Sequence, residues 1–320
     1  MSSHPTFGAH YSRRNVLYTA LVAGAASALH PRTQSASSAE KAKTAVTKGN
    51  IKQSIVFWCF NVSGDKWDIE KQCQVAKQLG CVSIELGDHK DFPVIKKHGL
   101  TCAIAGNRMP GAPFMRGLNN PDYHAEVIAR TKEAIDGCAE YGYGNVIAFT
   151  GYKWKKAEDP KSGEISLEEG ANNCVKALKE LCAYADKKNV NICVEHLNTR
   201  DDSHPMKGHP GYQGDHIDYV ANIARRVGSP RAKILFDIYH VQIMDGDVIR
   251  RIEECKDVIG HIHTAGNPGR AELDDKQEIN YPPIMRKLLE IGYKGYVGQE
   301  FIPTRDPLVG LTEAVKLCDV

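Results

Sequence analysis

Ten cysteines are spread along this chain, yet no two of them form a C-x-x-C pair, so the sequence offers neither a cysteine zinc site nor a dithiol redox pair. Cys73, Cys138, Cys174 and Cys182 stand at helix-like spacing among Ala, Leu and Val, and Cys59, Cys102 and Cys193 lie inside apolar strand-like runs. Most of them read as small buried hydrophobes with free thiols. An excess of charge of one sign is missing too. The formal net charge is +2, with Lys and Arg mixed among Asp and Glu along the helical segments, and nothing marks a nucleic-acid surface. Nor does a G-x-G-x-x-G loop follow the first strand candidate. "FNVSGDKW" (60–67) stands there instead, which argues against a doubly wound nucleotide-binding sheet.

A long apolar run is also absent. The weakly apolar stretch Val16 to Ala28, preceded by Arg13 and Arg14 in "SRRNVLYTALVAGAASALH", has the length of a signal-peptide core and is too short to span a bilayer as a mature helix. Ser12-Arg13-Arg14 resembles a twin-arginine signal, and Ala26-Ser27-Ala28 suits a signal peptidase. The expectation is a bacterial protein, periplasmic or otherwise exported, with residues 1–30 as the signal and no membrane span after its removal. Folding before export would explain how an exported chain keeps free thiols. Residues 31–50, rich in Ala, Ser, Thr and Lys, read as a flexible linker, and 51–320 as a single catalytic domain.

From residue 54 onward, short β-rich runs alternate with amphipathic stretches. The strand candidates are "SIVFWCF" (54–60), "VSIEL" (82–86), "TCAIAG" (101–106), "NVIAFTG" (145–151), "VNICVEHLN" (190–198), "KILFDIYH" (233–240), "GHIHTAG" (260–266) and "GYVGQEF" (295–301). Between them, segments such as 167–187 carry apolar residues at intervals of three and four (Ala171, Cys174, Val175, Leu178, Leu181, Cys182, Ala185), the spacing of one helix face. Gly80, Gly99, Gly142, Gly144 and Gly228 stand where left-handed helix caps are wanted. Eight strand–helix repeats with continuous apolar strands predict an α/β fold, the (β/α)8 TIM barrel.

In such a barrel the chemistry gathers at the C-terminal ends of the strands. Those ends deliver Glu195, Asp237, His263 and Glu300 from four consecutive strands. A carboxylate closing a buried apolar run such as Ile234-Leu235-Phe236 needs a positive partner. A divalent cation shared by three carboxylates and one imidazole supplies it, with Mg2+ or Mn2+ favoured over Co2+ or Zn2+. His196, Asn198, Arg200, His209, His240 and Arg270 crowd the same rim, and Asn198 and Arg200 are taken as substrate-binding. His261, two residues before His263, reads as structural. Glu85 ends the second strand and is open to two readings, reaching the site or forming a surface ion pair.

The segments "VEHLNTRD", "FDIYHVQIMDGD", "HIHTAGNPGR", "EINYP" and "GYVGQEF" resemble the hydroxypyruvate isomerase family, within the xylose-isomerase-like barrel superfamily that also holds the ketose 3-epimerases. The resemblance implies metal ligation by Glu195, Asp237, His263 and Glu300, acid/base roles for Glu195 and Glu300, and substrate-oxygen contacts from His240 and Arg270. His263, where hydroxypyruvate isomerases carry Gln, lies closer to the epimerases, and "RAELDDKQEINYP" is longer and more acidic than the family's usual loop.

The implied reaction is isomerisation of a small 2-hydroxycarbonyl compound through an enediolate, with a carbohydrate or hydroxy-keto substrate and no nucleic-acid partner. A ketose 3-epimerase, or a lyase acting on a keto-inositol or 3-keto sugar, would use the same chemistry. A non-catalytic sugar-binding barrel would not need the paired glutamates, and an endonuclease would need more histidines and a basic groove. A homo-oligomer stays open.

Overall fold

The computed structural model describes residues 44–62 and 65–320. The export signal expected over 1–30 and most of the expected linker lie outside them. Among the described residues the strands are β1 (Lys52–Val56), β2 (Ser83–Glu85), β3 (Asn145–Phe149), β4 (Trp154–Lys156), β5 (Asp159–Glu164), β6 (Asn191–Glu195), β7 (Ala232–Asp237), β8 (Ile259–Thr264) and β9 (Tyr296–Gln299). The helices are α1 (Ile69–Leu79), α2 (Phe92–Lys97), α3 (Pro121–Tyr141), α4 (Leu167–Asp186), α5 (Ile217–Val227), α6 (Ile238–Met244), α7 (Val248–Cys255), α8 (Tyr281–Glu290) and α9 (Pro307–Cys318). None of these helices is long and apolar enough to cross a membrane.

Seven strands pair in parallel in the order β2-β1-β9-β8-β7-β6-β3. The eighth stave, expected at 101–106, forms only two bridges, Thr101 to Ser83 and Ala105 to Val146, and these close the barrel between β2 and β3. Side chains explain the break. Ser83 Oγ accepts from the Ala103 N–H at 2.8 Å and Asn145 Nδ2 donates to the Ala103 carbonyl at 2.8 Å, so neighbouring side chains take hydrogen bonds that a ladder would use. The antiparallel hairpin β4–β5 is an addition the apolar pattern did not announce. Its sequence is polar, and it is tied down by Tyr123 Oη and Asn120 Nδ2.

Alternation along each strand divides the core in two, because successive side chains point to opposite faces. Val146, Ala148, Ile192, Val194, Ile234, Phe236, Ile262 and Val297 belong to the large core shared with the helices. Ile147, Phe149, Cys193 and Leu235 belong to a smaller cluster inside the barrel, with Ile104, Phe114, Leu197 and Tyr212. Continuing the inward series toward the strand ends gives Glu195 after Cys193, Asp237 after Leu235, His263 after His261 and Glu300 after Gly298.

Local chemistry fixes the helix ends. Asp68, Ser166 and Asp306 accept hydrogen bonds from first-turn N–H groups of α1, α4 and α9. Gly80, Gly142 and Gly228 cap α1, α3 and α5 in the left-handed conformation, and Gly99 adopts it just past α2. Gly144 does not. It belongs to the run into β3, and its carbonyl accepts from Asn191 N–H. All ten cysteines are buried and free.

The expected linker stops earlier than residue 50. Val46 N–H donates to the Leu79 carbonyl, and the Asp319 carboxylate collects the N–H groups of Thr47, Lys48 and Gly49 at 2.6–2.8 Å. Residues 44–50 are therefore part of the packed domain.

Candidate active site

The inward positions form two layers. In the deeper one, fully buried Glu85 lies between two histidines of β8: its Oε1 is 3.0 Å from Nε2 of His261 and 3.0 Å from Nε2 of His263. This close approach is possible because position 298, on the neighbouring β9, is glycine; a Cβ there would collide with the Glu85 carboxylate and the His263 ring. Burial works against ionising Glu85, but His261 and His263 hold its carboxyl down to about 2. The surface ion pair considered for Glu85 is thus replaced by a buried one. His261 sits deeper on the same inward side as His263, the two rings perpendicular and 5.0 Å apart.

The outer layer contains Glu195, Asp237, His263 and Glu300, all buried, each offering a donor atom within 4.8 Å of the others. With Nε2 turned to Glu85, His263 presents Nδ1 to this layer, 2.7 Å from Glu300 Oε2 and 3.7 Å from Glu195 Oε1. Among the described residues neither His263 Nδ1 nor Glu195 Oε1 completes a well-aligned hydrogen bond. Four buried carboxylates, those of Glu85, Glu195, Asp237 and Glu300, share this interior with one guanidinium, Arg270. The oxygen-rich set with one imidazole fits a hard or borderline divalent cation.

Asp237 is placed by the chain itself. It ends β7 and caps α6, its Oδ1 accepting from the N–H groups of Tyr239 (2.8 Å) and His240 (3.4 Å), which leaves Oδ2 toward the site. His240, one turn on, lies with Nε2 3.5 Å from that oxygen. Its Nδ1 accepts from the Asn198 N–H at 3.0 Å and lies 2.7 Å from Asn198 Nδ2. Arg270 reaches in from the loop after β8, held at φ +53°. Its guanidinium donates to Glu300 Oε2 at 2.5 Å and to the Met206 carbonyl at 2.7 Å, and approaches Asp237 Oδ2 at 3.4 Å. It lies over the Trp58 ring at 5.3 Å, and the Trp58 indole donates to Glu300 Oε1 at 3.1 Å.

These contacts split the carboxylates electrostatically. Burial, reinforced by Glu300 and Asp237, pushes Glu195 up to about 7. Burial likewise raises Asp237 to about 6 against the pull of Arg270. For Glu300, Arg270 and His263 outweigh burial and hold the carboxyl well below the usual range. Burial pushes His240 down and His209 to about 3, with Arg270 adding to both.

A cavity of about 490 Å³ opens over the outer layer. Glu195, Glu300 and Arg270 line its polar part, while Phe114, Phe149, Leu197 and Met206 contribute to the rest. His209 lines it too, its ring 4.1 Å from that of Phe114. Other residues singled out from the sequence lie elsewhere. Arg200 is exposed and does not line the cavity. Asn198 is buried behind it, giving Nδ2 to the Lys207 carbonyl and accepting from Asp201 N–H with Oδ1, so its polar atoms hold the loop and His240 in place. His196 is buried and points away from the inward series; burial lowers it to about 4. Trp58, inside the strand expected over 54–60, stands just past the end of β1, which stops at Val56; the earlier strand end brings it to the rim.

Comparisons with known proteins agree with this geometry. Residues 73–317 match the xylose isomerase-like TIM barrel family. The chain is 37% identical over 119 residues to a putative hydroxypyruvate isomerase of Homo sapiens, covering 37% of this chain and 41% of that protein. It is 36% identical over 127 residues to a 2-oxo-tetronate isomerase of Cupriavidus necator, covering 40% and 46%. Each match thus spans less than half of the relative's length. Among solved structures, an AP endonuclease, family 2, from Brucella melitensis superposes with a TM-score of 0.68 at 22% identity, over 82% of this chain and 97% of that one. The parallel barrel and the match across three quarters of the chain place it in the xylose isomerase-like TIM barrel family.

Proposed function

We propose that the chain is a divalent-metal-dependent isomerase of a small 2-hydroxycarbonyl compound, working by proton transfer through an enediolate. The observation that carries this reading is the placement of Glu195 and Glu300. They come from strands three steps apart around the barrel, line one cavity, and reach the same cluster of donor atoms. The names of the two curated relatives support the same reaction class.

Glu195, Asp237, His263 and Glu300 would hold the cation, whose Lewis acidity stabilises the enediolate and so acidifies the carbon next to the carbonyl. Mg2+ or Mn2+ suits the carboxylate-rich set best. Glu195, with Oε1 free of a hydrogen-bond partner among the described residues, is placed to take the proton from that carbon. Glu300, fixed by Arg270 and Trp58 and ionised in the free protein, would take up the substrate hydroxyl proton as the enediolate forms and return it to carbon from the other side, while Glu195 gives the proton it carries to the enediolate oxygen. Delivery to the adjacent carbon completes an isomerisation. Delivery to the same carbon from the opposite face completes an epimerisation, and loss of a neighbouring hydroxyl would make the enzyme a lyase. Arg270, which lines the cavity, and His240, which shares Asp237 Oδ2 with it, serve as substrate contacts. The apolar cavity wall keeps bulk water from the carbanionic intermediate.

Turnover in D2O is expected to place deuterium on the product carbon, and Glu195→Gln and Glu300→Gln are each expected to lower kcat by roughly 10²–10⁴-fold. Near-normal turnover by either variant with metal still bound would make that glutamate a ligand only and overturn the two-glutamate mechanism.

A further inference from the structure

The cavity is mismatched to the smallest substrates of the proposed chemistry. Its charged side chains are Glu195, Glu300 and Arg270, all at the ligand cluster, and Asn107 and His209 are the other polar side chains of its lining apart from the Trp58 indole. Most of the remaining wall is apolar, with Leu86, Phe114, Ile147, Phe149, Leu197 and Met206 among its side chains. Two of these residues, Ile147 and Phe149, are inward positions of β3, and Phe114 is packed edge-on against Phe149 with ring centres 6.4 Å apart. His209 adds a ring rather than a charge, because burial holds it neutral at neutral pH. A three-carbon hydroxy-keto acid seated on the polar end would leave most of about 490 Å³ facing apolar side chains. Water there would find few partners. A polyhydroxylated chain would meet the same shortage of donors and acceptors, at a cost for each buried hydroxyl left unpaired.

We infer that the substrate is a 2-hydroxycarbonyl compound carrying an apolar, ring-sized substituent, its hydroxycarbonyl end on the ligand cluster and its ring against Phe114, Phe149 and Met206. The inference rests on the metal-chelating reading of the site proposed above. It adds what that reading leaves open, the chemical class of the part of the substrate that does not react. The aromatic wall then does two things. It supplies binding energy remote from the reacting carbons, and it excludes water from the proton-transfer step.

Hydroxamates test it, since they chelate a divalent ion through two adjacent oxygens as an enediolate would. Acetohydroxamate, benzohydroxamate and gluconohydroxamate are titrated into the Mn2+-loaded full chain by calorimetry, each affinity normalised to the same compound's affinity for free Mn2+. Benzohydroxamate is expected to bind roughly 10–100-fold more tightly than acetohydroxamate, from the apolar area its ring buries. Phe114→Ala is expected to reduce that advantage by about tenfold while changing acetohydroxamate binding far less. Equal affinity for the acetyl and phenyl compounds overturns the inference and leaves the chelating site standing. Tightest binding of gluconohydroxamate overturns it in favour of a sugar chain. If none of the three binds although Mn2+ does, the chelating reading falls and this inference with it. The comparison among wild-type affinities does not depend on how well the Phe114 variant folds.

Discussion

The two halves of the barrel interior are built on opposite principles. On the side formed by β2, β8 and β9, the inward positions are Glu85, His261, His263 and Gly298, and the polar groups are locked to one another at hydrogen-bond distances. On the side formed by β3, β6 and β7, the inward positions Ile147, Phe149, Cys193 and Leu235 pack into one apolar cluster, of which Ile147 and Phe149 line the cavity. The polar half sets the direction of donor atoms and tolerates little change, because each buried charge depends on the next. The apolar half sets shape. The outer-layer residues, Glu195 and Asp237 from the apolar side and His263 and Glu300 from the polar side, are where the two meet.

The sharpest way to break the comparison is to alter one residue from each layer of the same strand. Asp237→Asn keeps a side-chain oxygen to cap α6, as Asn caps helices about as well as Asp, so the fold is expected to survive. The loss of one charge beside Glu195 and Glu300 also relieves repulsion in the metal-free protein. Mn2+ binding, read by isothermal titration, is expected to disappear. Leu235→Ala, two residues earlier and fully buried, should do the reverse: about 2–5 kcal/mol less stability in chemical denaturation, with Mn2+ affinity kept in the molecules that remain folded. Tight Mn2+ binding by Asp237→Asn would mean that the ligand set is wrong.

Glu85 offers a smaller effect and a more pointed one. By accepting from Nε2 of His263 it fixes the tautomer that leaves Nδ1 free for the outer layer, the part that outer-shell carboxylates play around metal-bound imidazoles. Glu85→Gln keeps an acceptor but loses the charge, and is expected to weaken Mn2+ binding about 10-fold; Glu85→Leu loses both, and about 100-fold is expected. In a His263→Ala background there is no imidazole left to orient, and Glu85→Gln should cost little more. An equal loss in both backgrounds would show that Glu85 acts on stability alone.

This residue also shows where sequence reading stops. The clustering of the strand-end residues could be read directly, because period-two alternation and the position of an apolar run's end are local properties. Glu195, Asp237, His263 and Glu300 needed nothing else to be placed on one rim. That Glu85 meets His261 and His263 depends on β1 and β9 lying between β2 and β8 in the closed sheet and on glycine at 298, relations between segments more than 170 residues apart. The same holds for the third stave, whose pattern looked like a strand until Ser83 and Asn145 intercepted its hydrogen bonds. It holds again for residues 44–50, whose polar composition reads as linker although the distant Asp319 gathers three of their N–H groups. The cavity wall was illegible for another reason: Phe114 and Met206 come from loops without periodicity, and only the fold brings them to face β3.

The smallest effect is expected at Arg200, a rim residue by sequence. A guanidinium that touched substrate would be within reach of the cavity, and its loss would remove a charge-assisted hydrogen bond, with KM rising tenfold or more. In the structure Arg200 is exposed, and it is Arg270 that reaches the carboxylates from the opposite loop. The 198–209 turn that carries Arg200 is held by the Asn198–Lys207 and His209–Asn198 hydrogen bonds, with Arg200 on its exposed side. Arg200→Ala is therefore expected to leave kcat and KM within about twofold and stability within about 0.5 kcal/mol, the range of ordinary surface substitutions. A tenfold rise in KM at unchanged kcat would show that this loop folds down when substrate binds, adding a cation to a wall that is apolar in the free protein. The division between a half of interlocked polar groups and a half whose inward side chains are apolar would then hold only before binding.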